Sequence, residues 1–405
     1  MDVFVARQPI LDTRRHLFAY ELLFRSGSDN RFSAQDGDQA TAQVIETCFM
    51  AIGMGDVARM FINFTEKLLL NRTPLSLPPD HVTVEVLEDV VPTPEIIEAV
   101  RELRAAGYMI ALDDFLARDT THPLIPLSDI IKVDFAGTTP LERRDIITHL
   151  QRPGLFFLAE KVEDYRTFRQ ASRQGYTYFQ GFYFQKPEML ACKKLSGNKL
   201  NHMRLLAALG KPEWTVRDLS NIIRQDVTLT YKLLKFINSP YFGLKRTVNS
   251  IDYAINLLGT DQIRRWAALV TMDNLGEDKP SELIFCSLVR GLLCEQLFGQ
   301  TLSGRQTARA SSFFLTGLLS LLDALVDMPM QQVLEDLPVD PEVHNALMGH
   351  SNLARDILDT AIFCEQGCWQ ELEERLQRLR IEPGVVFEQY RQSLMTANLL
   401  LGYAS

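Results

Sequence analysis

The spacing of apolar residues divides the chain into two parts. Up to about residue 193, short apolar runs alternate with amphipathic segments, which is typical of strands separated by helices. From residue 194 onward, apolar residues recur at intervals of three and four, as in helices packed on one face. We therefore predict an α/β domain over 1–193 and an all-helical domain over 194–405, in agreement with the length of 405 residues.

The first part contains seven or eight strand-like runs. The runs from Val3 to Leu11 and from Leu17 to Arg25 flank a polar stretch and predict an antiparallel hairpin. The other strands are predicted at 60–64, 82–87, 109–112, 130–135, 155–162 and 178–184, with helices at 40–54, 94–106, 141–150 and 164–174. Because this alternation implies right-handed crossovers, we predict a modified TIM-like (β/α) barrel with an antiparallel first strand.

The second part has few strand signals, and glycine, proline and asparagine mark the breaks between its segments. Its helices are predicted at 199–210, 216–224, 229–238, 250–258, 261–272, 281–299, 307–326, 353–365, 369–380 and 384–401.

Composition and charge exclude several classes of protein. The net charge is -9 and no run of Lys or Arg exceeds two residues, which argues against a nucleic-acid partner. None of the six cysteines forms a Cys-x-x-Cys pair, so free thiols in a reducing compartment are expected. The apolar stretch from Phe313 to Val326 is too short to cross a bilayer and contains Asp323. We expect a cytoplasmic protein without a signal peptide or a membrane partner.

The pair Asp113-Asp114 is the first sign of chemistry. It ends an apolar run that is typical of a buried parallel strand, and barrels keep their active sites at the carboxyl ends of such strands. Adjacent carboxylates repel each other unless a cation or hydrogen-bond donors lie between them. Taken alone, the pair is more often a helix cap.

The other strands also carry polar residues within apolar runs. These residues are Glu21, Asn63, Glu85, Glu88, Lys132, Asp134, Glu160, Glu163 and Gln180. In a closed barrel the strand ends converge, so these side chains would share one pocket. Several carboxylates with one amide favour Mg²⁺ or Mn²⁺, and two such ions could bind a phosphodiester and activate water. The alternative is a set of unrelated strand-end caps.

These residues form motifs that resemble the EAL domain of cyclic-di-GMP phosphodiesterases over nearly all of residues 1–190. The matching motifs are Arg7-Gln8-Pro9-Ile10, Glu21-Leu22-Leu23-x-Arg25, Asn63, Glu85-x-x-Glu88, Asp113-Asp114-Phe115, Lys132-x-Asp134, Glu160-Lys161-Val162-Glu163 and Gln180-Gly181-Phe182-Tyr183.

The resemblance implies a role for each residue. Glu21, Asn63, Glu85 and Asp113 would bind a first metal ion, and Asp113, Asp114 and Glu160 a second. Lys132 would orient or activate the attacking water and, with Glu21, Asp113 and Asp114, form the catalytic set. Arg25 would hold a substrate phosphate, Glu88 would anchor the loop after the Asp-Asp strand, and the remaining substrate-side residues are Gln8, Asp134, Glu163 and Gln180.

Three features depart from the family pattern. The segment 116–123 contains no glycine, whereas family members carry a Gly- and Ser-rich loop there. Leu87 stands where the family usually has threonine, and Lys161 replaces a glycine. A second cation at 161 could compete with a metal ion.

The second part resembles the HDOD domain, a helical relative of the HD phosphohydrolases. The resemblance lies in Leu219 to Asp226, Leu233 to Pro240 and Ser250 to Gly259. No His-Asp dipeptide occurs in the chain, so metal-dependent hydrolysis by this part is not expected. We interpret it as a regulatory or protein-binding module.

Three hypotheses follow for the whole chain. In the first, the EAL-like barrel binds cyclic-di-GMP, with or without a divalent metal, and relays to an unidentified signalling protein through the HDOD domain, with weak or no turnover. The alternative is an active metal-dependent phosphodiesterase that forms the linear dinucleotide. In the third, the barrel is a scaffold in which Lys161 pairs internally with Glu160, Glu163 or Asp134 and its contacts fill the metal positions. A homodimer is compatible with each of them.

Overall fold

A computed structural model gives the fold of the chain. It describes residues 3–26, 59–115, 121–186, 220, 223, 227–238, 242, 247–275, 279–301, 309–335, 337 and 339–404. The chain divides into two compact units, Met1–Lys186 with Glu365–Cys368, and Pro187–Cys364 with Trp369–Ser405. The predicted boundary between 193 and 194 lies outside the described residues and stays a prediction.

The first unit is a closed barrel of eight strands in sequence order. The strands are β1 (Val3–Asp12), β2 (Leu17–Ser26), β3 (Arg59–Phe64), β4 (Val82–Val86), β5 (Met109–Leu112), β6 (Ile130–Asp134), β7 (Phe156–Glu160) and β8 (Tyr178–Gln180). β1 is antiparallel to both β2 and β8, and the other neighbours are parallel. The predicted barrel with an antiparallel first strand is confirmed.

Short helices connect the strands of the barrel. They are α1 (Glu66–Leu70), α2 (Pro94–Ala105), α3 (Pro140–Leu150) and α4 (Tyr165–Gln174). α2 begins after Thr93, whose hydroxyl accepts a hydrogen bond from the backbone N–H of Ile96. α4 begins after Asp164, whose carboxylate accepts one from the backbone N–H of Thr167. The predicted helix at 40–54 lies outside the described residues.

The interior of the barrel is built in layers. Apolar side chains fill one layer: Ile10, Ala19, Phe61, Ala111, Ile130 and Leu158. Because side chains two residues apart on a strand share a face, the next interior layer toward the carboxyl ends is set by the residue two positions further along. That layer is polar, and its members are Glu21, Asn63, Glu85, Asp113, Lys132 and Glu160, with Gln8 contributed by the antiparallel β1.

The last strand is shorter than the predicted 178–184. Gly181 has φ +142, and a Cβ atom there would lie 2.2 Å from the carbonyl oxygen of Val162. The chain therefore turns at this glycine, and a 3-10 helix follows at Tyr183–Gln185.

The described part of the second unit consists of helices and the loops between them, without a strand. Its helices are α5 (Val227–Ile237), α6 (Ile251–Leu275), α7 (Ser281–Gln300), α8 (Ala310–Leu319), α9 (Leu322–Val326), α10 (Met330–Glu335), α11 (Pro341–Leu347), α12 (Leu353–Gln366), α13 (Trp369–Leu379) and α14 (Pro383–Ala404). α6 joins two predicted helices across a kink at Gly259. The predicted helix 307–326 is divided into α8 and α9, and α10 and α11 were not predicted.

Helices α7 and α8 of this unit pack closely against each other. A Cβ atom on Gly317 would lie 2.3 Å from the carbonyl oxygen of Arg290, so only glycine permits this approach of the two helices. Within the described residues, no helix combines the length and the apolar character that crossing a membrane requires.

Candidate metal centre

The ammonium group of Lys132 lies at the centre of the polar layer. Its Nζ atom contacts Glu85, and it is 2.7 Å from Glu160 Oε1, 2.9 Å from Asp113 Oδ1 and 3.4 Å from Glu21 Oε2. Only 1% of the lysine side chain is exposed. One buried cation is thus surrounded by four acidic side chains from four other strands or strand ends.

The acidic residues form two overlapping clusters. Glu21, Glu85 and Glu160 form the first cluster, and Asp113, Asp114 and Glu160 form the second. In each cluster, one oxygen per residue lies within 4.8 Å of the others, which is close enough for a shared cation. Glu160 belongs to both clusters and links them.

Two amide side chains orient Glu21. Asn63 donates from Nδ2 to Glu21 Oε1 at 3.1 Å, and Gln180 donates from Nε2 to Glu21 Oε2 at 2.6 Å. Gln180 also donates to Gln8 Oε1 at 2.8 Å. Both oxygens of Glu21 are therefore fixed, and Asn63 uses its amide nitrogen for this contact.

The Asp113-Asp114 pair ends β5 in a strained turn. Asp114 has φ 40, in the left-handed region that few residues other than glycine, asparagine and aspartate adopt. The turn is closed by Asp113 N–H, which donates to Val86 O, and by Phe115 N–H, which donates to Lys132 O, both at 3.0 Å. Burial, and then the charge of Asp113, raise the pKa of Asp114.

Burial changes the acidity of the central groups. It raises the pKa of Glu85 well above its usual value, and the charge of Glu21 adds to the effect. Burial also raises the pKa of Glu160 to about 8, with a further contribution from Asp113. For Lys132, burial alone would lower the pKa, but the surrounding carboxylates raise it well above its usual value.

The donor atoms fit a hard divalent cation. Asn63 Oδ1, Glu85 Oε2 and Asp114 Oδ1 are buried and have no hydrogen-bond partner among the residues that the structure describes. A buried oxygen without a hydrogen-bond partner destabilises the folded state unless it binds a cation or a hydrogen-bond donor. The set contains only carboxylate and amide oxygens, which Mg²⁺, Mn²⁺ and Ca²⁺ prefer to nitrogen or sulfur donors. A divalent cation therefore suits both clusters.

The acidity of Glu160 predicts a pH dependence of barrel stability. Between its usual pKa of 4.5 and its pKa of about 8 in the folded chain, the folded state holds a proton that the unfolded state has released. The metal-free barrel should then lose stability as pH rises through this window, by up to about 1.4 kcal/mol per pH unit. Urea unfolding in EDTA at pH 5, 6, 7 and 8 measures how the free energy of unfolding changes with pH. The Glu160→Gln variant should show a smaller change than the wild-type protein. Equal slopes in both proteins would contradict the prediction.

A concave pocket opens on the second cluster. Its free volume, including the open mouth, is about 1120 Å³. Its polar lining consists of Glu88, Asp113, Asp114, His122, Asp134 and Thr138. Sequence reasoning missed His122 and Thr138, because nothing in their local spacing marks them as part of a site. The pocket is large enough for a ligand of small-molecule size.

The remaining predicted residues lie around this centre. Asp134 accepts a hydrogen bond from Lys161 Nζ at 2.7 Å, and Glu88 is exposed on the pocket wall. Glu163 points to solvent and lies 3.7 Å from Lys186 Nζ, so it is not brought into either cluster. The side chain of Arg25 and residues 116–120 lie outside the described residues.

Comparisons with known proteins identify a family for the second part of the chain and relatives of the whole chain. The HDOD domain family matches residues 200–338. The protein YuxH of Bacillus subtilis (strain 168) is 37% identical over 407 residues, which cover 97% of this chain and 98% of YuxH. Cyclic di-GMP phosphodiesterase CdgJ of Vibrio cholerae is 34% identical over 400 residues, which cover 97% of this chain and 91% of CdgJ.

Solved structures give a weaker likeness. The manganese/cy-diGMP complex of Klebsiella pneumoniae BlrP1 at pH 6 has a TM-score of 0.39 and 24% sequence identity, and the match covers 45% of this chain and 55% of that chain. A likeness at this TM-score does not extend to the details of the site. With YuxH and CdgJ matched along nearly their whole length, the chain belongs to the EAL-HDOD family, in which a cyclic-di-GMP phosphodiesterase-like barrel is joined to an HDOD domain.

Proposed function

We propose that the barrel binds two divalent cations, Mg²⁺ or Mn²⁺, and hydrolyses cyclic-di-GMP to the linear dinucleotide. The observation that carries the proposal is the pair of carboxylate clusters joined through Glu160 beside an open pocket. The name of CdgJ adds support, because that relative is called a cyclic di-GMP phosphodiesterase and aligns with 97% of this chain.

Each cluster would hold one cation. The first cation would be held by Glu21, Glu85 and Glu160, with Asn63 Oδ1 as a further donor. The second would be held by Asp113, Asp114 and Glu160. When bound, the two cations would supply Lewis-acid charge to the scissile phosphate and to the attacking water.

Lys132 would act as a fixed positive charge in the reaction. Its raised pKa keeps the side chain as an ammonium group, which donates hydrogen bonds and cannot accept a proton from water. We therefore assign it to orienting water or phosphate oxygen and to balancing charge. The reaction consumes one water, whose oxygen bonds to phosphorus while the bond from phosphorus to one ribose oxygen breaks. The leaving oxygen takes up a proton.

Gln180 and Asn63 would position Glu21 for this chemistry. Their hydrogen bonds to the two carboxylate oxygens restrict rotation of the side chain. Catalytic groups must be held within a fraction of an ångström, so these contacts support turnover as well as binding. Asp134 and His122 on the pocket wall would face the bound dinucleotide.

A second candidate function is binding of cyclic-di-GMP without turnover, with a relay through the HDOD domain to an unidentified signalling protein. The observation in its favour is that Lys132 already contacts four carboxylate side chains, so charge is partly balanced without a metal ion. The glycine-free segment 116–123 agrees with it. Cytoplasmic localisation and a homodimer stay predictions.

One assay separates the two functions. Purified full-length protein is incubated with cyclic-di-GMP and Mg²⁺ or Mn²⁺, and linear dinucleotide is followed by chromatography. We expect product that stops on addition of EDTA and resumes with excess Mn²⁺. Binding by calorimetry without any product would favour the second candidate, and neither binding nor product would exclude both.

A further inference from the structure

The backbone at Lys161 adopts a conformation that favours glycine. Its φ is 52, directly after Glu160 at the end of β7. The turn allows Val162 N–H to donate to Gln180 O at 2.9 Å and Tyr183 N–H to donate to Val162 O at 3.1 Å. The turn explains the left-handed backbone, but it does not require a lysine, since glycine would adopt it with less strain.

The side chain of Lys161 is held in a defined position. Its Nζ atom is 2.7 Å from Asp134 Oδ2, although 55% of the lysine side chain is exposed. Asp134 is itself fixed, because Oδ1 accepts the backbone N–H groups of Ala136 at 2.6 Å and Gly137 at 3.1 Å. The ammonium group is thus anchored to a rigid carboxylate.

This anchored charge lies beside the second cluster. Asp134 lines the same pocket as Asp113 and Asp114. The ammonium of Lys161 interacts electrostatically with Asp114 and with Glu160. Within the described residues, Lys132 contacts members of both clusters, whereas Lys161 adds a second ammonium charge beside the second cluster.

We infer that Lys161 weakens the binding of a divalent cation to the Asp113–Asp114–Glu160 cluster, so that this cluster binds its cation tightly only together with an anionic phosphodiester. A fixed ammonium repels a cation of the same sign, and an incoming phosphate offsets that repulsion. By linkage, the phosphodiester and the second cation then strengthen each other's binding. The inference rests on the proposed function, since it concerns the same two cation sites.

Binding of Mn²⁺ without nucleotide tests the inference. Electron paramagnetic resonance of free Mn²⁺ gives the number of bound ions and their affinities. We expect one tighter and one weaker site in the wild-type protein, because Lys132 contacts both clusters and the second cluster also lies beside Lys161. In Lys161→Met the weak site should tighten roughly three- to tenfold, an effect expected for one partly exposed charge.

Three further variants separate the effect of the Lys161 charge from the effect of the left-handed backbone conformation at this position. Lys161→Gly removes the charge and the left-handed strain, so it should tighten the weak site as Lys161→Met does while unfolding at a higher temperature than Lys161→Met. Lys161→Arg keeps the charge and should bind Mn²⁺ like wild type. Lys186→Met removes an equally exposed lysine from another ion pair and should also leave Mn²⁺ binding unchanged.

The outcomes are distinguishable. Two Mn²⁺ sites that do not change in Lys161→Met, or that change only in Lys161→Gly, overturn the inference and leave the proposed function standing. A changed KM for cyclic-di-GMP without changed Mn²⁺ binding would make Lys161 a phosphate contact and also overturn it. Absence of Mn²⁺ binding in every variant would overturn the proposed function as well.

Discussion

Replacing Glu160 by glutamine is expected to lower the rate of cyclic-di-GMP hydrolysis by about a thousandfold or more. Glu160 contributes an oxygen to both carboxylate clusters, so one substitution removes a charged ligand from each proposed cation site. Glutamine has nearly the same shape and can still accept the hydrogen bond of Lys132. The measurement is the initial rate of linear dinucleotide formation at saturating Mn²⁺, together with Mn²⁺ binding.

The stability of this variant distinguishes lost chemistry from lost structure. Burial raises the pKa of Glu160 to about 8, so a neutral side chain should be tolerated at this position. We expect unfolding of the metal-free variant at pH 7 to require at least as much urea as that of wild type. Glu142→Gln serves as the control, because Glu142 is an exposed residue of a helix capping box that glutamine can also complete. A rate within tenfold of wild type in Glu160→Gln would contradict the proposed cation sites.

The polar layer of the barrel could be predicted from sequence because strand geometry is local. Side chains two residues apart share a face, so a polar residue two positions after a core residue must enter the same interior. This relation places Glu21 above Ala19 and Lys132 above Ile130. The closing of the barrel then brings them together from positions 111 residues apart in sequence.

Other features depend on contacts that no local pattern shows. The sequence left Glu160, Glu163 and Asp134 open as partners of Lys161, and the structure shows the ion pair with Asp134. The positive φ of Lys161 and the turn that fixes Asp134 are not visible in residue spacing. His122 reaches the pocket because of the path of the loop that precedes β6. The early end of β8 follows from the contact of Gly181 with Val162. Each depends on the approach of segments from different strands.

Sequence also could not decide what balances the buried acidic charge. The same carboxylates are compatible with metal ions, with a buried lysine, or with protons held by groups of raised pKa. The structure shows that Lys132 contacts all four neighbouring acids, and that Glu85 and Glu160 have raised pKa values. A metal ion bound at the proposed sites would compete with the ammonium group for the same oxygens, so replacing Lys132 should have a measurable effect on stability.

Replacing Lys132 by methionine should destabilise the metal-free barrel by about 3–5 kcal/mol at pH 8.5, because it leaves several buried carboxylates without their cation. Mn²⁺ should restore more stability to this variant than to wild type, since the ammonium no longer competes for the cluster. The chain has three tryptophans, Trp214, Trp266 and Trp369, and none of them lies in the sequence of the barrel strands, so their fluorescence is not a specific probe of the barrel. Hydrogen exchange of peptides from β4 and β6 measures the change instead, with α7 of the second unit as the internal reference.

The pH dependence of this loss identifies its cause. At pH 6, Glu160 holds a proton in the folded chain because its pKa is raised to about 8, and burial shifts the pKa of Glu85 in the same direction. Fewer buried charges then remain to be balanced, so the cost of Lys132→Met should shrink. Lys186→Met makes the same chemical change in an exposed ion pair and should cost less than about 1 kcal/mol at either pH. A loss in Lys132→Met that stays constant between pH 6 and 8.5 would reflect packing alone. A loss that grows with pH and is reversed by Mn²⁺ would show that lysine and divalent cation balance the same carboxylates.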